Sequence, residues 1–382
     1  MNIAHLSTVH PRYDTRIFHK MCRSLAASGH AVSLYVADGA GDENRDGVAI
    51  IDVGKAANRL TRASLTAARM WRIAKKNGHD LYHFHDPELI AGGLLARWFG
   101  HCVVYDIHEY YRLHFRRASG LPSGLSRLLA GLYGLVERCA AAWLDACVVV
   151  SPHMLQSLQP RRAAVVANYV RSDEFQPGHT PFAQRPRLVC YVGVLSQDRC
   201  VSAMVDAVAD TTVTLVLAGR WYPPSLRILM STHPGWSSVE ELGIIRRDRM
   251  QSLLEQAQAG LMINDLQGDE EHSSSNKLFE YMAAGLPVIA SDIQFARDVI
   301  SRHDCGLLIS PPTDPRAIAA AITWLLEHPE EAERMGRAGR RAIDHEYGWD
   351  QALEALLALY ARLEPATRIR KRRLRELNGG RT

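Results

Sequence analysis

At 382 residues, with 45 lysines and arginines against 41 aspartates and glutamates, the chain is long enough for two or three domains, each with its own core. That near balance of charge gives no global nucleic-acid signal, and no window offers the roughly eighteen uncharged residues that a spanning helix needs. Seven dispersed cysteines (Cys22, Cys102, Cys139, Cys147, Cys190, Cys200, Cys305) with no CxxC pair exclude an obvious disulfide framework and predict reduced thiols in a cytosolic protein. The opening MNIAHLSTVHPRYDTR lacks the basic leader and long apolar run of a secretory signal. The expectation is a protein that is soluble or attached to a membrane surface.

Strands and helices alternate from the start. The pattern predicts a strand over Asn2–Leu6, a helix over Ile17–Ser28 closed by Gly29, and a strand over Ala31–Ala37. A helix over Ser64–Asn77 ends at Gly78, and a strand follows over Leu81–Phe84. Next come a helix over Leu89–Phe99, a strand over Cys102–Asp106, a long helix over Leu125–Leu144 and a strand over Ala146–Val150. That order is what a doubly wound parallel sheet produces. Composition changes at Arg171–Arg187, where three prolines and a glycine read as an interdomain linker. A second α/β series follows: a strand over Leu188–Val194, a helix over Val201–Val208, a strand over Thr212–Leu217, a helix over Met250–Gln256 and a strand over Ala259–Ile263. After the segment discussed next come a strand over Pro287–Ala290 and helices over Pro315–Glu327, Glu331–Glu346 and Trp349–Leu363. The expected domains are 1–175 and 186–348, with ligands at the carboxyl ends of two parallel sheets.

The segment Asn276–Asp292, NKLFEYMAAGLPVIASD, carries the most chemistry. It reads as a helix stopped by Gly285 and Pro287, then a short strand. Lys277 and Glu280 lie three apart and share one face near the helix start. Asn276 suits a cap there, and the N–H groups of a first turn favour an anion. A cation, a carboxylate and a helix N-terminus at one point suit a ligand with phosphate and hydroxyl groups, as in a nucleotide sugar. An ordinary helix-to-strand connection would use the same glycine and proline.

This segment resembles the C-terminal signature of the retaining glycosyltransferases of family 4. The resemblance implies a GT-B fold: two doubly wound, Rossmann-like α/β domains facing across a cleft, with the final helix (349–382) packing back on the first. In that family a glutamate, seven residues and a second glutamate straddle the donor site. The second, which holds ribose, corresponds to Glu280; the first corresponds to His272, so the usual carboxylate at the donor sugar is absent. Asn276, Lys277 and Leu278 fall at the donor. YVGVLSQDRC (191–200) resembles the family's phosphate-binding turn, where Gly193 admits backbone and Arg199 brings positive charge. Val194 and Cys200 stand where relatives often carry arginine and glycine. Gly219, in LAGR, ends the next strand, and Ile244 lies in ELGII (241–245), which resembles the segment whose backbone reads the base. Asn264 and Asp265 either reach the donor or form a turn.

Three N-terminal motifs extend the resemblance. In HPRYDTRIFHKM (10–21), Asp14 either contacts a ligand or pairs internally with Arg16. HFHDPEL (83–89) offers two imidazoles and a carboxylate that would suit zinc, but HDPEL recurs in the family without metal. The expectation is therefore a structural His83, with His85 and Asp86 at the cleft rim. YDIHEYY (105–111) puts His108 and Glu109 at a strand end; relatives place a histidine there beside the donor sugar, the alternative being a capped core histidine.

Between Arg112 and Arg138, arginines mix with Leu113, Phe115, Leu121, Leu125, Leu128, Leu129 and Leu132. Residues 112–121 suggest an anionic-membrane or acceptor contact, and Leu125 onward a core helix with a solvated basic face. The basic tail 367–382 suits anionic lipid or a solvated end, and RNA binding is disfavoured because no aromatics are interleaved for base stacking. The function implied is metal-independent transfer of a hexosyl or N-acetylhexosaminyl group, with no cofactor. Its donor would be a nucleotide-diphosphate sugar, UDP-sugar favoured over GDP-sugar. The acceptor would be a hydroxyl of a glycan or lipid-linked molecule, in bacterial surface-polysaccharide assembly at the cytoplasmic side of the membrane. His108, Arg199 and Lys277 are the expected catalytic groups. A catalytically silent GT-B partner and a nucleotide-sugar epimerase of the same fold are the alternatives.

Overall fold

Short apolar runs separated by helical periods dictate parallel strands covered on both faces. The structure, a computed structural model, describes residues 1–111, 122–209, 211–265 and 275–379, with side chains to residue 364, that of residue 123 excepted. The chain divides into two units, Met1–Ala167 with the residues from Ala352 on, and Asn168–Gln351.

The first unit holds β1 (Asn2–Leu6), β2 (Ala31–Val36), β3 (Glu43–Arg45), β4 (Val48–Asp52), β5 (Leu81–Phe84), β6 (Cys102–Ile107), β7 (Ala146–Val149) and β8 (Ala163–Val165). They form one sheet in the order β3-β4-β2-β1-β5-β6-β7-β8, parallel apart from the β3–β4 hairpin. That hairpin turns at Asp46 and Gly47, both at positive φ, the turn geometry that Asp-Gly favours. The helices are α1 (Arg23–Ala27), which continues a π-helical stretch Thr15–Cys22, then α2 (Ala67–Asn77), α3 (Ile90–Trp98), α4 (Ser123–Trp143) and α5 (Pro152–Leu158). Every residue of β5, β6 and β7 is buried.

One buried ion pair ties this unit together. Arg16 reaches the end of β6 and grips Asp106 in fork geometry, Nε to Oδ2 at 2.9 Å and Nη2 to Oδ1 at 2.7 Å. Its Nη1 donates to the carbonyl of Val166 at 2.8 Å. An internal Asp14–Arg16 pair, one of the two readings of this loop, is therefore replaced. Asp14 instead accepts from the backbone N–H groups of Arg16 and Ile17 and caps the π-helical stretch.

The second unit holds β9 (Leu188–Val192), α6 (Val201–Val208), β10 (Thr214–Ala218), α7 (Ser225–Ser231), β11 (Val239–Gly243), α8 (Arg247–Gln256) and β12 (Ala259–Met262). It continues with α9 (Asn276–Ala283), β13 (Val288–Ser291), α10 (Gln294–His303), β14 (Gly306–Ile309), α11 (Pro315–Glu327) and α12 (Pro329–Ala342). The parallel sheet runs β11-β10-β9-β12-β13-β14. The stretch 171–187 is no linker. Phe175 and Phe182 are buried in this unit's core, and Arg340 donates to the carbonyls of Phe175 and Ser172. The final helix, α13 (Trp349–Gly379), joins the first unit from Ala352. There it buries Leu356, Leu359, Tyr360 and Leu363, and the Tyr360 hydroxyl lies 2.6 Å from His83 Nδ1.

The expectation for α4 is corrected. Its buried stripe is built from Ser126, Ala130, Ala140 and Ala141, with Glu137, while Leu125, Leu128 and Leu132 are exposed. Small residues at this spacing let the helix lie close to the sheet and turn its leucines outward. No helix among the described residues is long and apolar enough to cross a membrane.

Replacing Arg16 with methionine leaves Asp106 buried without its cationic partner and should destabilise the first unit by about 3–5 kcal/mol. Arg171→Ala, which removes an exposed pair with Asp173, should cost under about 1 kcal/mol. Urea unfolding of both variants checks this, and a loss for Arg16→Met as small as the control's would contradict it.

Candidate functional site

In the second unit β9, β10 and β12 run parallel and end at one sheet edge, with chain connections diverging to either side of β9, the place where open α/β sheets bind ligands. Gly193 follows β9 and Gly219 follows β10. The Gly193 N–H donates to Ala218 O at 2.8 Å, tying the two turns together, and the Gly219 N–H donates to Gly243 O at the end of β11 at 2.7 Å. Both have φ in the region that favours glycine, +145° and +149°. A Cβ on Gly219 would stand 1.7 Å from the carbonyl oxygen of Gly193, and one on Gly193 would stand 2.4 Å from Lys277 Cε. Only glycine fits, so the edge is bare backbone. A hollow of about 770 Å³ opens there, lined among others by Gly193, Gly219, Ile244, Arg246, Arg247 and Met250. Small-ligand sites fall in the range of about 300–1,000 Å³.

Lys277 lies half-buried in the first turn of α9, its Nζ 5.2 Å from the centre of the Tyr191 ring. Burial, then the charge of Arg199, pulls its pKa down to about 8, against the opposing pull of Glu280. Arg199 donates to Asn264 Oδ1, so Asn264 positions the cation. Cys200, where the resemblance expects glycine, takes the left-handed conformation at φ +50°. Glu280 is held by Arg247 Nη1, and that guanidinium also lies 3.6 Å from Glu174 and over the Phe175 ring. Arg247 is a site residue that the sequence reading missed, although it stands two residues after the ELGII segment. Two further expectations need correction. Asn276 is the first residue of α9 rather than its cap, and Ser275, which caps it, makes no side-chain capping bond. The Leu278 side chain is fully buried in the core, which leaves only its backbone for a ligand. Ile244 is 80% exposed. His272 lies outside the described residues.

In the first unit β1, β5 and β6 also end at one edge. Asp86 and His85 are not at a rim: both are fully buried. They form the floor because the Asp86 carboxylate accepts from Ser7 Oγ at 2.9 Å and Thr8 N at 2.6 Å, pinning the turn after β1. His85 places Nδ1 2.8 Å from Asp106 and Nε2 2.9 Å from His5 Nδ1. Burial holds its pKa at about 3, outweighing Asp106, so the ring is neutral. Above this floor His108 Nε2 lies 3.1 Å from His10 Nε2, and His108 Nδ1 lies 3.3 Å from Asp106. His10 sits 3.5 Å from both Asp14 and Asp86. Burial opposes its protonation, but the hydrogen bond to Asp14 and the charge of Asp86 outweigh burial and raise its pKa. The same partnership, with the Ile17 and Arg16 amides, outweighs burial at Asp14 and lowers its carboxyl to about 2. Glu109 is exposed.

The His10–His108 pair can give a proton to a hydroxyl oxygen or take one from it. His10 was missed, though it opens the loop already singled out. Nitrogens of His5, His83 and His85 cluster within 4.8 Å, as do donor atoms of His85, Asp106 and His108. Both nitrogens of His85 already have protein partners, while His5 Nε2 and His83 Nε2 have none.

Residues 15–169 match the family model described as a glycosyl transferase 4-like domain, and residues 172–342 match glycosyl transferases group 1. The chain belongs to the GT-B glycosyltransferases of family 4 type. D-rhamnosyltransferase WbpZ of Pseudomonas aeruginosa is 29% identical over 152 residues, covering 40% of this chain and 39% of WbpZ; the match thus spans about two-fifths of that relative. Sucrose-phosphate synthase of Thermosynechococcus elongatus superposes with a TM-score of 0.78 at 20% identity, over 96% of this chain and 99% of its own. Anabaena HepE in complex with UDP-glucose gives 0.70 at 14% identity, over 94% and 100%. These two likenesses show the GT-B fold.

A diphosphate seated beside Lys277 would restore the charge that burial disfavours, and so raise its pKa from about 8. With UDP as probe, affinity should fall as pH rises through about 8 to 9. Calorimetry at pH 8 in buffers of differing ionisation enthalpy should register proton uptake by the complex. Lys277→Ala should abolish both effects; a flat pH profile or proton release by wild type would contradict the assignment.

Proposed function

We propose that the chain is a retaining glycosyltransferase. It transfers a hexosyl or N-acetylhexosaminyl group from a nucleotide-diphosphate sugar, UDP-linked in preference to GDP-linked, to a hydroxyl of a glycan or lipid-linked acceptor. The observation that carries this reading is the second unit's sheet edge. Bare backbone at Gly193 and Gly219, the cations Lys277 and Arg199 and the first turn of α9 are accompanied by the held carboxylate of Glu280, which with Arg199 acts on the Lys277 charge. Phosphates suit the first three features, and ribose hydroxyls suit Glu280.

In the reaction the bond from the sugar's anomeric carbon to the diphosphate oxygen breaks as the bond to the acceptor oxygen forms on the same face. The departing diphosphate takes the acceptor's proton. Arg199, Lys277 and the first turn of α9 bear the charge that develops on the leaving group, which is stabilisation supplied where charge appears. No metal or cofactor takes part in this scheme. His108, with His10, orients a hydroxyl of the sugar. The UDP preference draws support from HepE, whose structure holds UDP-glucose. The setting we propose is bacterial polysaccharide assembly at the cytoplasmic face of the membrane; the bacterial relative WbpZ is a D-rhamnosyltransferase.

Proton NMR of the product made from a UDP-sugar tests the mechanism. The new linkage should keep the donor's anomeric configuration, with turnover unchanged by a chelator; an inverted product would overturn retention. Glu280→Ala should weaken UDP binding by about 1.5–3 kcal/mol, the range for a hydrogen bond to a charged group. Unchanged affinity in the folded variant would remove Glu280 from the site.

A further inference from the structure

We propose that the outer faces of α2, α3 and α4 in the first unit form a docking surface for an anionic lipid bilayer, a role beyond the transfer reaction. The strand order makes α2, α3 and α4 successive crossings in one direction, and right-handed crossovers put such helices on one face of the sheet. Each also packs against the next.

The outward side of α4 is apolar where a surface helix is normally polar. Leu128, Leu132 and Leu135 form a stripe with 63%, 59% and 60% of their surface exposed. At the end of α3, Leu95, Trp98 and Phe99 are exposed as well. The Trp98 ring stacks on Trp143 of α4 with centroids 6.3 Å apart, so the two apolar regions are joined. Exposed apolar side chains that adjoin in this way mark interaction surfaces, and tryptophan is favoured where hydrocarbon meets headgroups.

Charge selects the occupant. Neither α2 nor α3 contains an acidic residue, and the one acid in α4, Glu137, is buried. Arg69, Arg72 and Lys76 on α2 are exposed, as are Arg127 and Arg138 on α4. Lys75 Nζ lies 6.0 Å from the centre of the Phe99 ring, which brings basic and apolar groups together. Between α2 and α3 a hollow of about 430 Å³ is lined by Arg72, Lys75, Ala91 and Leu95. The carboxylate at its edge, Glu88, is paired with Arg62 at 2.9 Å. A second copy docked face to face would set these cations against their own counterparts, since a two-fold interface is self-complementary. An anionic bilayer answers both the positive charge and the leucines, which a neutral apolar partner would not.

Cys139 is exposed on α4, while the other six cysteines are buried, so the full chain can be labelled there with an environment-sensitive fluorophore. Vesicles of phosphatidylcholine with phosphatidylglycerol should shift its emission to the blue, and phosphatidylcholine alone should not. In co-sedimentation, Leu128→Glu/Leu132→Glu should lower partition about tenfold or more. Arg72→Ala and Arg127→Ala, at exposed positions, should each lower it about fivefold, the equivalent of ~1 kcal/mol per near-surface cation. Several outcomes would overturn the proposal: no shift with anionic vesicles, equal binding to neutral ones, binding unaffected by all four substitutions, or a light-scattering dimer that Leu132→Glu dissolves.

Discussion

The approach of Gly219 to Gly193 is the constraint on which the second unit's chemistry depends. A single methyl group on Gly219 would occupy the space of the neighbouring carbonyl oxygen. Because both positions lack side chains, two strands end in a shelf of backbone, and the Lys277 side chain lies directly against Gly193. That contact buries the ammonium group and lowers its pKa to about 8. A cation held half out of water is costly while alone and gains most when an anion arrives. In the proposed reading the shelf both clears room for a diphosphate and primes the charge that would meet it.

The first unit solves a different problem at its own sheet edge. Its floor is a buried polar network: Arg16, Asp106, His85 and His5 in sequence, with Asp86 fastening the turn after β1. Burying that much polarity is tolerable because each of these side chains makes at least one hydrogen bond, although His5 Nε2 and Asp86 Oδ1 make none. The network fixes the positions of His10 and His108 above it, whose ring nitrogens face each other at 3.1 Å. Rigidity beneath and two adjustable protons above suit a task of orienting hydroxyls.

Much of this was legible in the sequence, for physical reasons. Strands buried on both faces read as apolar runs, so β1, β5, β6, β7, β9, β12 and β13 stood out. The Lys277–Glu280 pair could be placed because helix spacing fixes it. Partners far along the chain could not: Asp106 lies 90 residues from Arg16, and Arg247 lies 33 from Glu280. The short β3–β4 hairpin escaped notice although Asp46-Gly47 signals such a turn. Prolines at 177, 181 and 186 disguised a packed segment as a linker, because composition registers the turns and not the two buried phenylalanines. In α4, leucine content suggested a core helix, whereas the small residues Ser126, Ala130, Ala140 and Ala141 decide which side packs.

The central claim is that the second unit's sheet edge receives a nucleoside diphosphate. Calorimetric titration of the wild-type chain with UDP, GDP, ADP and dTDP tests it most directly. The account predicts saturable binding of UDP at a single site, tighter than that of the other three. Absence of binding by all four to folded protein would contradict it.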